Sequence, residues 1–347
     1  MVPIPDAHAR PPDSMRDLFK RRRKQSPASI DSDVEIIDPY NPKATPVTFL
    51  PASEQCPHIE LAMLEQEFAK GITIARLSAH VCDRFPSPAF EINALPGLLV
   101  FPSLLTPRLQ IALLEKLLHR DLNNPEHKTN LHLHYNIDYP TTEGGDLPNL
   151  DCGLSSFFSS DQSTMLRPKD PSVHRPLTIT QMLDSKLRWV TLGGQYDWTN
   201  KVYPNEAPPT FPPDIASLLK SLFPSVDAQA AILNFYSPGD TLSIHRDVSE
   251  ECDRGLISIS MGCDGLFLAG NEDGTEAVTL RLRSGDAVLM SGNARYAWHA
   301  VPKIIPDTCP SWLQNWPDID ETNKYKAWHG WMRTKRINLN VRQMKES

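Results

Sequence analysis

Apolar and polar residues alternate in short runs from about residue 230 to the C-terminal end of the chain. Alternation with a period of two is typical of strands that bury one face. Turn sequences such as Pro238-Gly239-Asp240 separate the runs. Many short strands at this spacing predict an antiparallel barrel or a jelly roll. The predicted strands are Ala231–Tyr236, Leu256–Met261, Leu266–Ala269, Val278–Leu282, Ala287–Met290, Ala297–Val301 and Lys335–Arg342.

The residues before position 230 carry helical as well as extended patterns. A short helix is predicted from Glu60 to Lys70, and a buried strand at Gly97–Phe101. Thr106 is placed to cap a helix that runs from Pro107 to His119, because a threonine before a proline is a common helix start. We therefore predict an α+β fold in which helices precede the strand-rich half.

Residues 121–180 are rich in Pro, Asn, Asp and Ser, which predicts long loops. A short alternating strand is predicted within them at Leu131–Tyr135. Its histidines, His132 and His134, have the spacing of two metal ligands on one strand face, but no third ligand type lies near them. We interpret them as half-exposed strand residues.

The composition is that of an ordinary soluble enzyme. Hydrophobic residues make up 40% and charged residues 22% of 347 residues, enough for one core and a second, smaller lobe. Six scattered cysteines without a C-x-x-C pair favour a reducing compartment and argue against a cysteine zinc site. No apolar run approaches the roughly 18–20 residues that cross a bilayer. We expect no membrane partner and a monomer.

Residues 1–50 are rich in proline and charge and poor in aromatic residues, which predicts a disordered tail. The basic run Lys20–Lys24 is a candidate nuclear address or phosphate-binding arm, and a merely solvated tail is the alternative. We expect the nucleus, the cytoplasm or both. Asp6, Asp13 and Asp17 count against a mitochondrial transit peptide, but they leave the mitochondrion open.

His245, Asp247 and His299 form a candidate metal site. On an extended backbone, side chains two residues apart share a face, so His245 and Asp247 can reach one ion. Two histidines and one carboxylate are the facial triad of non-haem Fe(II) oxygenases. Such a triad leaves three positions open, two for a chelating keto acid and one for dioxygen. The tripeptide H-x-D alone is weak evidence, because it occurs by chance in many proteins.

A strand face near the C-terminal end carries polar residues only. Within Lys335–Arg342, the residues Arg336, Asn338, Asn340 and Arg342 share this face. Guanidinium groups inside a barrel are costly unless they meet anions, and an arginine suits the distal carboxylate of 2-oxoglutarate. The alternative is an exposed strand face, on which arginines cost little.

A second strand offers further partners for the same carboxylate. Asn234 and Tyr236 share a face of the predicted strand Ala231–Tyr236, shortly before His245. An amide and a hydroxyl are suitable hydrogen-bond partners for a carboxylate. The alternative is a tyrosine that packs in the sheet core with a satisfied hydroxyl.

Together these residues resemble the motifs of the AlkB family of nucleic-acid oxidative demethylases. The segment 187–198 is similar to the substrate lid of that family, and it is nearest to the subfamily of the first animal AlkB homologue. The resemblance is specific from about residue 230 and extends less securely back to about residue 95. The matching strings are Asn-Phe-Tyr-Ser-Pro-Gly-Asp at 234–240, Leu-Ser-Ile-His-Arg-Asp at 242–247, His299, and an R-x-N-x-x-x-R ending at 336–342.

The resemblance implies a double-stranded β-helix that binds Fe(II) through the three candidate ligands and uses O2 as co-substrate. It implies that Asn234, Tyr236, Arg336 and Asn338 hold 2-oxoglutarate, with Arg336 pairing the distal carboxylate. Arg342 would lie close to the metal carboxylate and the substrate pocket. The implied activity is demethylation of methylated bases in tRNA or DNA, with release of formaldehyde, succinate and CO2.

An iron site inside a barrel cannot reach a base within a stacked duplex, so the base must be flipped out or unpaired. Tyr196 and Trp198 of the lid are candidate base-stacking residues. The alternative is that they pack the lid against the barrel. The predicted segments are a disordered tail at 1–50, an N-terminal extension at 51–225 with the lid at about 186–205, and a dioxygenase domain at 226–347.

Two other functions fit part of this pattern. One is a 2-oxoglutarate hydroxylase that acts on protein, against which the lid resemblance counts. The other is an iron-independent nucleic-acid lyase or binding protein that uses a lysine amine, although the sequence points to no particular lysine. A metal chelator separates these classes, because it stops a dioxygenase and leaves such a lyase active.

Overall fold

The structure is a computed structural model that describes residues 5–6, 8–40, 46–51, 54, 58–72, 87–140, 156–195, 207–319 and 322–346. Its α-helices are α1 (Asp13–Lys24), α2 (Pro27–Asp31), α3 (His58–Phe68), α4 (Pro107–Leu114), α5 (Ile179–Gln181) and α6 (Pro213–Leu222). The π-helices Glu115–Asp121 and Met182–Lys186 continue α4 and α5. Across these ranges, no helix has the length and apolarity needed to cross a lipid bilayer.

The strands form two large sheets and one small one. The major sheet has the order β2-β3-β4-β14-β11-β16-β9-β8, the minor sheet β1-β13-β12-β15-β10, and the small sheet β5-β6-β7. The strands are β1 (Ile36–Ile37), β2 (Val47–Phe49), β3 (Phe90–Ile92), β4 (Leu98–Phe101), β5 (Tyr135–Asn136), β6 (Met165–Pro168), β7 (Leu177–Thr178), β8 (Trp189–Gly193), β9 (Ala230–Tyr236), β10 (Leu242–His245), β11 (Leu256–Gly262), β12 (Gly265–Gly270), β13 (Ala277–Leu282), β14 (Ala287–Met290), β15 (Trp298–Ile304) and β16 (Arg336–Arg342).

The major and minor sheets share one apolar core. Val100 and Met290 of the major sheet are buried in the same cluster as Phe267 and Leu280 of the minor sheet. This sheet-on-sheet packing is the predicted jelly roll, and every strand predicted from Ala231 onward is confirmed. The α+β fold class is confirmed as well.

Helices cover the other face of the major sheet and thereby decide which way β16 faces. Thr106 caps α4 as predicted, since its hydroxyl accepts a hydrogen bond of 3.2 Å from the Leu109 amide. Ile337, Leu339 and Val341 of β16 are buried in one cluster with the apolar residues of α4 and α6. The polar face of β16 therefore points into the space between the two sheets.

The N-terminal segment differs from the expected disordered tail. Residues 13–24 form α1, in which Met15 is fully buried, and β1 pairs in parallel with β13. Arg22, in the middle of the basic run, is 1% exposed. Composition alone predicted disorder here because the segment is ordered by contacts with the minor sheet, and these contacts cannot be predicted from a local sequence pattern.

The expected strand at Leu131–Tyr135 is wrong over most of its length. Residues Asn130–Leu133 form a 3-10 helix, and only Tyr135 belongs to a strand. The His132 Nδ1 accepts a hydrogen bond of 2.8 Å from the Thr129 amide, which closes a capping box at the helix start. This local hydrogen bond outweighs the alternating pattern.

An ion-pair cluster links α6 to the π-helix that follows α4. Asp214 lies 2.7 Å from Arg120 Nη1 and 2.9 Å from Lys116 Nζ. Burial alone would raise the pKa of Asp214, but hydrogen bonds from the two cations lower it to about 2.

Replacing Asp214 with Asn should lower the free energy of unfolding at pH 7 by about 1–2 kcal/mol, because two cations lose a partly screened partner. The carboxylate stabilises the fold fully above its ordinary pKa of 3.8, and this contribution is lost as pH falls through about 2. Urea unfolding at pH 7 and pH 3 measures both effects, and the difference should shrink at pH 3. Asp227→Asn, which removes the exposed partner of Lys220, is the matched control.

Candidate metal centre and co-substrate pocket

Two adjacent strands of the minor sheet bring the candidate ligands together. His245 is the last residue of β10, Asp247 follows two residues later, and His299 lies on β15. His245 and His299 are direct cross-strand partners, and their ring centroids are 4.2 Å apart. Side chains of directly paired residues share a sheet face, so the pairing itself places both imidazoles side by side.

The three ligands can hold a single ion. The His245 Nε2 lies 3.9 Å from Asp247 Oδ1, and the His299 Nε2 lies 3.6 Å from Asp247 Oδ2. One candidate ligand atom from each residue lies within 4.8 Å of the others. Two imidazoles and one carboxylate fit Fe(II), and the metal role assigned from the sequence stays a prediction that this geometry supports.

Backbone carbonyls fix the orientation of both imidazoles. The His245 Nδ1 donates to the Ser243 carbonyl at 2.8 Å, and the His299 Nδ1 donates to the Ala297 carbonyl at 3.1 Å. A carbonyl only accepts, so each Nδ1 carries the proton and each Nε2 keeps its lone pair. The buried His299 Nε2 has no hydrogen-bond partner in the described part of the chain. This is the tautomer that metal ligation requires.

The electrostatics keep His245 and Asp247 in their metal-binding forms at neutral pH. Burial, together with the neighbouring His299, lowers the pKa of His245 to about 4. Burial alone would raise the pKa of Asp247, but the Arg342 guanidinium and the two imidazoles hold it well below its ordinary value. The site therefore offers a neutral His245 imidazole and an ionised Asp247 carboxylate.

A buried ion-pair network surrounds Asp247. Arg342, which the resemblance placed near the metal carboxylate, lies 2.9 Å from Asp247 Oδ2 and 3.1 Å from Glu250 Oε1. Arg295 lies 2.9 Å from the other Glu250 oxygen and donates to the Asp247 carbonyl at 2.8 Å. Glu250 and Arg295 were missed from the sequence, because an ion pair between residues so far apart leaves no periodic pattern. The network holds both the backbone and the carboxylate of Asp247 in place.

The predicted co-substrate residues meet on adjacent strands of the major sheet. Arg336 pairs with Tyr236, and Asn338 pairs with Asn234, in the register of β16 and β9. All four side chains therefore lie on the face that points into the jelly roll. The alternative of an exposed strand face is wrong for Arg336, which is 2% exposed.

The Arg336 guanidinium is buried among neutral groups. It donates to the carbonyls of Cys263 and Leu282 at 3.1 and 3.2 Å, and to the Ser260 hydroxyl at 2.7 Å. Among the described residues no carboxylate pairs with it, and its Nε and the buried Tyr236 hydroxyl have no hydrogen-bond partner. A buried cation without an anion is costly, so this pocket fits a ligand that brings a carboxylate.

Glycine at position 265 makes room for that guanidinium. A Cβ at Gly265 would lie 2.7 Å from Arg336 Nε and 2.9 Å from its Cζ. The asparagines on β16 take different roles: the Asn338 amide donates to Ser258 Oγ at 2.9 Å, whereas the buried Asn340 Oδ1 lacks a partner among the described residues. Asn340 was not assigned a role from the sequence, although the strand alternation placed it on this face.

The predicted substrate lid at 186–205 lies only in part within the described residues. Tyr196, Trp198 and the second half of the predicted lid at 186–205 lie outside the described residues. The first half contains β8, which is one of the two edge strands of the major sheet. On it, Trp189 pairs with Asn234, so its half-buried indole lies on the pocket face. The sequence contains this tryptophan within the lid segment, but only the strand pairing distinguishes it from the later aromatic residues.

Replacing Gly265 with Ala should weaken 2-oxoglutarate binding about tenfold or more, because the guanidinium must leave its present position. Calorimetric titration of Mn(II)-loaded protein measures this affinity without turnover. Gly255→Ala is the matched control, since its added Cβ would meet the end of the Leu289 side chain, which packs in the helix-covered core cluster and not in the pocket. Equal 2-oxoglutarate affinities in both variants would show that Arg336 does not bind this co-substrate.

Comparison with known proteins agrees with this geometry. A model of the 2OG-Fe(II) oxygenase superfamily matches residues 154–342. The N6-methyladenosine RNA demethylase ALKB1 of Pyricularia oryzae is 45% identical over 361 residues and covers 98% of each chain. The N6-methyladenosine RNA demethylase ALKBH of Cryphonectria parasitica is 54% identical over 62% of this chain and 100% of its own. The tRNA demethylase abh1 of Schizosaccharomyces pombe is 40% identical over 74% of this chain and 82% of its own. This chain is therefore a member of the 2OG-Fe(II) oxygenase superfamily and, within it, of the AlkB family branch that includes ALKB1.

Proposed function

We propose that this dioxygenase removes the methyl group from N6-methyladenosine in RNA. The observation that carries the proposal is one pocket that combines a facial His–Asp–His set with a buried guanidinium lacking an anion among the described residues. The two N6-methyladenosine RNA demethylases, at 45% and 54% identity, favour this base over other methylated bases. The tRNA demethylase at 40% identity makes tRNA the first RNA to test.

Each side of the pocket then has a distinct task. His245, Asp247 and His299 would hold Fe(II), and Arg336 with Tyr236 would hold the distal carboxylate of 2-oxoglutarate. When bound, Fe(II) would supply the oxidising chemistry with dioxygen as the oxidant: one oxygen atom goes to succinate as 2-oxoglutarate loses CO2, and the other goes to the N-methyl carbon. The C–N bond of the hydroxymethyl group then breaks, the hydroxyl proton goes to the nitrogen, and formaldehyde leaves the free amine.

The chain's own residues contribute position and charge. The network of Arg342, Glu250 and Arg295 keeps Asp247 ionised and oriented. Trp189 lies on the same sheet face as the co-substrate residues, where an indole can stack on an unpaired base. Because the pocket lies between two sheets, only a base that has left its stack can enter.

Two other substrates remain as outcomes of the test. DNA carrying N6-methyladenine presents the same base on a different backbone, and protein hydroxylation would use the same iron and co-substrate residues. The position of Trp189 favours a flat base over a peptide side chain. Because this chain belongs to the 2OG-Fe(II) oxygenase superfamily, an iron-independent lyase activity would be additional to the dioxygenase activity and would not replace it.

Purified protein with Fe(II) and 2-oxoglutarate should convert N6-methyladenosine to adenosine in tRNA, with an equal amount of formaldehyde released. Mass spectrometry of nucleosides from parallel tRNA, messenger RNA and DNA pools identifies the substrate. Asp247→Ala, which removes one predicted ligand, should abolish the conversion. If the wild-type protein and the variant leave every methylated nucleoside unchanged, demethylation is the wrong reaction.

Replacing Trp189 with Ala should raise KM for the methylated RNA roughly fivefold or more, because stacking of a base on an aromatic side chain contributes about 1–3 kcal/mol. The KM for 2-oxoglutarate should not change. Trp189→Phe keeps an aromatic face and should recover most of the loss. Equal effects of both substitutions on RNA and 2-oxoglutarate would show a role in sheet packing instead of base binding.

A further inference from the structure

The N-terminal residues 13–40, here called the strap, lie against the outer face of the minor sheet. Met15 of α1 is fully buried there, and a Cβ at Gly270 would come within 2.4 Å of its sulfur. The Arg22 Nε donates to the Thr279 hydroxyl of β13 at 3.1 Å. The strap then adds β1 to the edge of the sheet, where Ile36 pairs with Thr279. The strap is thus a part of the sheet that carries the metal ligands.

A buried cation folds the strap back on itself. Arg22, 1% exposed, forms ion pairs with Asp33 and with Glu35, the latter at 3.1 Å. The Gln25 amide donates to the same Asp33 carboxylate at 2.7 Å. These contacts set the direction in which the acidic half of the strap, residues 31–38, runs along β13.

The acidic half forms two ion pairs at the end of β13. Asp31 lies 2.5 Å from Arg281 Nη1, and Asp38 accepts two hydrogen bonds from Arg283, at 2.6 and 3.0 Å. These two arginines flank Leu282 in the sequence. The Leu282 carbonyl is one of the acceptors of the Arg336 guanidinium. The strap therefore contacts the residues on both sides of Leu282, whose carbonyl accepts a hydrogen bond from Arg336.

A second route runs through the turn after β13. The Tyr40 hydroxyl donates to Asp286 Oδ1 at 3.0 Å. The backbone of this turn exchanges two hydrogen bonds with Ser260: the Gly285 amide donates to the Ser260 carbonyl at 2.8 Å, and the Ser260 amide donates to the Asp286 carbonyl at 3.0 Å. The Ser260 hydroxyl accepts from Arg336 at 2.7 Å. The strap thus reaches two of the three Arg336 acceptors.

We propose that the strap is a positioning element for 2-oxoglutarate, which acts by holding the Leu282 carbonyl and Ser260 where they fix Arg336. Three neutral acceptors hold this guanidinium, and their placement sets its distance from a ligand carboxylate. Asp31, Asp38 and Tyr40 are positioning residues, because they touch neither substrate nor metal ligands. The inference rests on the proposed pairing of Arg336 with the distal carboxylate.

The test compares two double variants that each remove two arginine–carboxylate pairs. Asp31→Asn with Asp38→Asn removes the negative charge from the pairs with Arg281 and Arg283, and the side-chain oxygen at position 38 can still accept from the Tyr40 amide. Glu65→Gln with Glu346→Gln is the control, since it breaks pairs of similar exposure with Arg108 and Arg254 outside the minor sheet. Both double variants lose the same charge and should show similar falls in melting temperature.

Calorimetric titration of Mn(II)-loaded protein gives the affinities for 2-oxoglutarate and for pyruvate, a keto acid that lacks the distal carboxylate. The strap variant should bind 2-oxoglutarate roughly four- to twentyfold more weakly than wild type, as expected for two partly exposed ion pairs. Its affinities for pyruvate and for Mn(II) should not change. In turnover, KM for 2-oxoglutarate should rise while kcat stays the same. The control variant should match wild type in every one of these measurements.

The outcomes separate this inference from the proposed function. If Arg336→Gln abolishes 2-oxoglutarate binding but the strap variant binds it like wild type, the strap has only a structural role. If the strap variant loses affinity for pyruvate and 2-oxoglutarate equally, the effect does not pass through Arg336, and the inference is wrong. If Arg336→Gln itself binds 2-oxoglutarate normally, the pocket assignment fails and the inference fails with it.

Discussion

The arrangement of the pocket depends on one buried charge that has no ion-pair partner among the described residues. Arg336 carries a guanidinium into the space between two sheets, where its donors meet two carbonyls and a hydroxyl but no anion among the described residues. Such a group is tolerated only if the surrounding residues hold it rigidly, and a glycine at 265 gives it the room. This burial accounts for the glycine at position 265 and supports the prediction that the pocket takes a dicarboxylic co-substrate.

On the metal side of the pocket, by contrast, the charged side chains form ion pairs with one another. Arg342 lies at the far end of β16 from Arg336, on the same strand face, and pairs with Asp247, so it joins the two sheets across the pocket. Glu250, in the loop after β10, and Arg295, in the segment before β15, complete this link. Positive and negative groups alternate along the network, so each charge meets an opposite one. One strand therefore holds the predicted co-substrate arginine at one end and the partner of the predicted metal-binding carboxylate at the other.

The sequence predicted the parts of this site that follow from periodicity. Alternation placed Arg336 and Asn338 on one face, and the i, i+2 spacing placed His245 beside Asp247. It could not show the cross-strand pairing of His245 with His299, because register is a tertiary property. The partners of Glu250 and the order of the N-terminal segment were missed for the same reason. Both depend on contacts between residues that are distant in the chain.

The strap has a consequence for how the molecule is made. Arg22 meets its sheet partner Thr279 only after 257 further residues have been added. During synthesis, the apolar side of α1 therefore stays exposed to solvent until the strands of the minor sheet have been made. Because β1 pairs with β13, this edge of the minor sheet cannot form until the residues of β13 have been synthesised. A fragment that lacks either end of the chain would leave the opposite end without its partner.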